Sequence, residues 1–146
     1  MRVFSLSFAA LSVSTALLAA SPALAEMKKL AATLEGAQQV PPVESQGTGT
    51  AEITYDTETK MLEWTVEYSG LSEAPAAGHF HGPAAAGETA DVAVPLEGDL
   101  ASPIEGSATL TAEQEAELLA GRYYINLHTP AHPDGEIRGQ VEEAAM

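Results

Sequence analysis

The four histidines of the chain fall in two short stretches, Gly78-His79-Phe80-His81-Gly82-Pro83 and Asn126-Leu127-His128-Thr129-Pro130-Ala131-His132-Pro133-Asp134-Gly135-Glu136. Imidazole is the commonest protein ligand for late first-row transition metals. With every histidine in one stretch or the other, the pattern predicts that the two meet and are used together as a metal site. Residues two apart in a strand share a face, so His79 and His81 project together while Phe80 turns to a core. In the strand that leads into the second stretch, Tyr123, Ile125 and Leu127 form one apolar face, and Tyr124, Asn126 and His128 form the other. Two imidazoles from one strand and one or two from its neighbour make a three- or four-nitrogen set. That set suits Cu(II) or Zn(II), and the affinity order favours copper where both are supplied. A tetragonal arrangement would lean to copper and a tetrahedral one to zinc. The bland alternative is four histidines that hydrogen-bond loops or stand in solvent. His132, in a loop between Ala131 and Pro133, is the fourth candidate ligand.

Polar neighbours could serve such a site. Asp134 and Glu136 offer carboxylates, as oxygen ligands or as acceptors that orient an imidazole, and Asn126 shares the face of His128. For Asp134 the favoured reading is simpler, with Asp134-Gly135 as the turn of a hairpin. Arg138 lies two residues beyond Glu136 on the same face. Its expected partner is Glu136, the alternative being an anion drawn toward a metal. The chain has no cysteine, which excludes thiolate ligands and disulfides. No Ser/His/Asp order or phosphate loop stands out, and the methionines are too scattered for a Cu(I) motif.

Short strands divided by Gly/Pro turns must position these residues. Lys29 to Leu34 reads as a first strand, and residues 36–49, rich in Pro, Gly, Gln and Ser, as a long loop. Ala51, Ile53 and Tyr55 alternate with polar residues, as do Leu62, Trp64, Val66 and Tyr68, the period of a half-buried hairpin. Val92 to Leu96 and Ile104 to Leu110 are further strands, with Pro95 marking an edge or bulge. Thr111 and Gln114 form a capping box for a helix running to about Ala120, where Gly121 ends it. Arg122 to Thr129 and Glu136 to Val141 close the chain as two strands. The pattern predicts an all-β fold, an antiparallel Greek-key sandwich with one short helix.

Residues 1–25 read as a secretory signal peptide: Arg2, an apolar run from Phe4 to Ala20, then the cleavage site Ala23-Leu24-Ala25. Cleavage after Ala25 leaves residues 26–146 as a single domain, long enough to bury its own core. Loss of Arg2 leaves five basic residues against 21 acidic ones, a net charge of −16. Such a surface repels nucleic acid and anionic lipid and favours cations and basic partners. No other stretch is long and apolar enough to span a bilayer. The leader directs expectation to the periplasm.

The chain resembles the CHRD (chordin) domain family. The likeness rests on Leu34-Glu35-Gly36-Ala37-Gln38-Gln39-Val40-Pro41-Pro42-Val43, on Gly78-His79-Phe80-His81-Gly82-Pro83-Ala84, and on Tyr124-Ile125-Asn126-Leu127-His128-Thr129 running into Pro133-Asp134-Gly135-Glu136-Ile137-Arg138-Gly139-Gln140. These motifs span nearly the whole mature domain and imply an immunoglobulin-like β-sandwich, but little about activity. More loosely, His79-Phe80-His81 is similar to the copper-ligand strand of copper-zinc superoxide dismutases. On that likeness His128 would be the later copper ligand and Arg138 an anion guide. The disulfide cysteines and the bridging and zinc-ligand stretch of that family are missing, so a copper site carries over and dismutase activity does not.

Three functions follow as expectations. The first is a periplasmic protein that binds, sequesters or delivers copper, or zinc, through His79, His81, His128 and His132. The second is a dismutase-like copper enzyme, which needs an open coordination position. The third is a metal-free interaction module, in which residues 36–49 and the acidic faces bind another protein or the cell envelope; the expected partners of the chain are a periplasmic protein or a second copy of itself.

Overall fold

The computed structural model describes residues 24–145, so residues 1–23 of the expected leader lie outside it. Among the described residues nine strands and one α-helix, with a 3-10 turn at Gly36–Gln38 after the first strand, run in the order β1 (Met27–Glu35), β2 (Thr48–Asp56), β3 (Met61–Ser69), β4 (Ala77–His81), β5 (Val92–Pro95), β6 (Ile104–Thr109), α1 (Ala112–Leu119), β7 (Tyr124–Thr129), β8 (His132–Gln140) and β9 (Glu142–Glu143). In β2 and β3 the alternation in sequence becomes alternation in burial: Ala51, Ile53, Tyr55, Leu62, Trp64 and Val66 face inward. Of these, Ile53, Leu62 and Val66 each contribute about 1.5–3 kcal/mol on burial. The capping box forms as expected, with Thr111 Oγ1 accepting from the Gln114 amide and Gln114 Oε1 from the Thr111 amide. Gly121 follows the helix at a φ of 73°, which favours glycine.

All pairings are antiparallel, in the order β5-β4-β7-β8-β1-β2-β3-β6, with β9 beside β1. The all-β, antiparallel expectation holds. The two layers are not separate sheets, however. Glu35 of β1 pairs with Arg138 of β8, and β9 pairs with Leu30 and Ala31 of β1, which makes one continuous, barrel-like sheet. The layers meet over the core, where Trp64 of β3 packs edge-to-face on Phe80 of β4 with ring centroids 5.3 Å apart. Strand β5 lies at an edge and ends on Pro95, where a missing N–H costs least.

One local expectation fails. Asp134-Gly135 is not the hairpin turn; β8 begins at His132, and Pro130-Ala131 turn the chain between the paired Thr129 and His132. The register shifts between Leu127 and Thr129, which places Asp134 and Gly135 inside the strand. Gly135, at a φ of 119°, lies directly under the Asn126 carboxamide, and a Cβ there would collide with it. A glycine beside an aspartate is thus demanded by a neighbouring side chain, not by a reversal of the chain.

Candidate metal centre

Strands β4 and β7 pair with Ala77 opposite His128, His79 opposite Asn126, and His81 opposite Tyr124. Phe80, Ile125 and Leu127 point into the core and are fully buried. Parity therefore puts His79, His81 and His128 together on the other face, as the sequence predicts. His79 Nδ1 lies 3.2 Å from His128 Nε2. One nitrogen from each of the three rings falls within 4.8 Å of the other two. Nitrogens at about 2.0–2.1 Å from a shared ion are themselves about 3 Å apart when they subtend near-tetrahedral or right angles. The 79–128 pair already fits that spacing, and the third nitrogen lies within 4.8 Å of both.

Backbone carbonyls set which nitrogen is free. A carbonyl only accepts, so His81 donates Nδ1–H to the Ala90 oxygen at 3.0 Å, and His128 donates Nδ1–H to the Pro133 oxygen at 2.9 Å. Both rings then keep an Nε2 lone pair, and that of His128 faces His79 Nδ1. His81 Nε2 is buried and has no hydrogen-bond partner among the described residues. An unmade hydrogen bond of that kind costs about 1–3 kcal/mol, and a cation would satisfy it. Burial pushes the pKa of His79 down, with His128 and His81 adding to the effect. Burial also lowers His81, against the bond to Ala90, and His128 and Arg138 lower it further. The neutral ring is the ligating form.

The face that parity turns away from the core is not bare surface. His81 is 9 %, Asn126 5 % and Arg138 2 % exposed. Tyr124 stacks flat on His81 with centroids 4.9 Å apart, and the Arg138 guanidinium sits 3.6 Å from the Tyr124 ring centre. The Tyr124 hydroxyl shares the Ala90 carbonyl with His81. Asn126 accepts from Gln39 and donates to the Asp134 carbonyl, which steadies the strand that carries Pro133. His132 stands apart from the three-histidine group, but with His81 and His128 it lines one cleft of about 550 Å³. The Asp134 side chain is exposed and contributes its backbone only.

The Glu136–Arg138 pair expected from sequence does not form. Glu136 accepts instead from Ser45 Oγ, Ser72 Oγ, the Ser72 amide and Thr129 Oγ1. Burial would raise its pKa, but these four bonds overcome burial and bring it down to about 2. The carboxylate clamps two loops to the β7–β8 hairpin and supplies no ligand to the histidine group. Ser45, Ser72, Gln39 and the two carbonyls escaped sequence reasoning. Only Tyr124, by its parity with His128, carried a signal.

The family model for the CHRD domain matches residues 30–141, a span that holds all three histidines of the group. No curated protein and no solved structure matches the chain. The fold gives the family motifs a common location: Gln39 of the first, His81 of the second and Asn126, His128 and Arg138 of the third all line the one cleft. A match over most of the chain, carried by motifs that converge in space, makes this protein a member of the CHRD domain family.

Proposed function

We propose that the chain is an exported, periplasmic metal-binding protein whose cargo is copper, held by His79, His81 and His128 and handed on or sequestered. The observation that carries this reading is the orphaned Nε2 of His81, buried beside two other imidazole nitrogens and fixed in that tautomer by Ala90. A ring anchored through Nδ1 to a carbonyl is the usual support of a ligating histidine. Three nitrogen donors without thiolate suit Cu(II), and the affinity order favours it over zinc. His132 stands outside that group, and its place in the cleft with His81 and His128 supports at most an auxiliary role.

Titration of the purified chain with Cu(II) and Zn(II) tests the proposal. His79→Ala and His128→Ala should each weaken Cu(II) binding by at least about tenfold, since each removes one of three ligands. His132→Ala should cost less. Unchanged affinity in His79→Ala and His128→Ala would sink the reading. Cell fractionation with an antibody to the chain tests the periplasmic address, and a superoxide consumption assay on the copper-loaded protein separates carrier from enzyme.

A further inference from the structure

Arg138 is 2 % exposed, yet no carboxylate among the described residues pairs with it; the ion pairs there are Lys28 with Glu26 and Lys60 with Glu115. Leaving a buried charge unpaired is costly. The chain has 21 acidic residues from which to provide a partner. The carboxylate nearest along the same strand face, Glu136, has both oxygens filled by hydroxyls and an amide. Of the five guanidinium N–H donors, one reaches a protein acceptor, from Nη2 to the Ala85 carbonyl at a long 3.4 Å. Tyr124 covers a face of the guanidinium and leaves its edges, where the donors point, unobstructed by the ring. Arg138, Gln39 and Val40 together line both the cleft of about 550 Å³ and an adjoining one of about 440 Å³.

We infer that Arg138 is the base of a binding site for a small planar oxyanion of the carboxylate type, gripped edge-on by the guanidinium fork. Planar carboxylate geometry matches two parallel N–H donors. The chain's strong negative charge disfavours anions over the surface at large, so a built, local cation is what such a ligand requires. The depth of Arg138 restricts the ligand to a small molecule. The cleft is shared with His81 and His128, which sets the anion beside the histidine group. Its binding does not require an ion there.

The test uses the purified, chelator-treated chain, with oxalate as the probe and chloride holding ionic strength constant. Nitrogen-15 NMR should show saturable shifts at the Arg138 Nε–H and at the amides of Ala85 and Tyr124. Arg138→Lys should weaken oxalate by about tenfold, because a point charge replaces the fork, and Arg138→Met should abolish binding. If either variant fails to fold, the wild-type map alone decides. Shifts no larger than chloride produces, or a footprint centred away from Arg138, would overturn the site. Tighter binding of sulfate than of oxalate would overturn the planar-carboxylate assignment. None of these readouts involves copper, so this inference and the metal proposal fail separately.

Discussion

Single side chains in this protein are set by what their far ends touch. His81 is aimed by a carbonyl behind it, stacked by Tyr124 and left with one bare nitrogen. Glu136 is the opposite case, a carboxylate with every strong acceptor position filled. Its pKa falls from 4.5 to about 2 on folding. A lowered folded-state value means stability that is fully present above the unfolded pKa, near 4.5, and is lost as pH drops toward 2. The difference corresponds to about 3 kcal/mol. Glu136→Gln should therefore lose up to about that much unfolding free energy at pH 7, and much less at pH 2. Denaturant unfolding of both proteins at several pH values checks this. Parallel stability curves for wild type and variant would show that the hydroxyl cluster does not hold a charged group.

At the scale of elements, the β7–β8 hairpin decides the geometry of the site. It carries His128, presents Pro133 to it, and bends at Gly135 beneath Asn126. Gly135→Ala would place a methyl group in the Asn126 carboxamide and an alanine at a φ of 119°. Strain at such a φ costs about 1–3 kcal/mol. Because the displaced segment includes the His128 anchor, metal affinity should fall along with the melting temperature. An intact melting temperature and affinity would refute the argument. Part of this hairpin was legible in the sequence: strand parity gave the faces of Tyr124, Asn126 and His128, and alternation gave β2 and β3. The capping box gave the helix. What parity cannot give is the bulge after Leu127, since Asp-Gly is a turn signal wherever it stands. Nor can side-chain spacing reveal a carbonyl such as that of Ala90, or show that Glu136 would turn to serines from two distant loops instead of Arg138.

Across the whole molecule, charge and topology act at different ranges. The two layers join through Glu35 and Arg138, so the arginine that borders the histidine cleft also sits at the seam between layers. Near the cleft, Arg138 opposes a second cation; over the surface, 21 carboxylates attract one. The net field should win for a divalent ion approaching from solution, because the arginine is a single charge and the acids are spread over the strands. Steering of this kind weakens as salt shortens the Debye length, from about 30 Å at 0.01 M to about 8 Å at 0.15 M. If the proposed site takes Cu(II), its association rate should therefore drop several-fold across that range, while the dissociation rate, set locally by the ligating imidazoles, should change little. Stopped-flow mixing, followed through Trp64 packed beneath the histidine strand on Phe80, measures both rates. An association rate indifferent to salt would mean that the acidic surface plays no part in capture and that the imidazole group meets its ion by unaided diffusion.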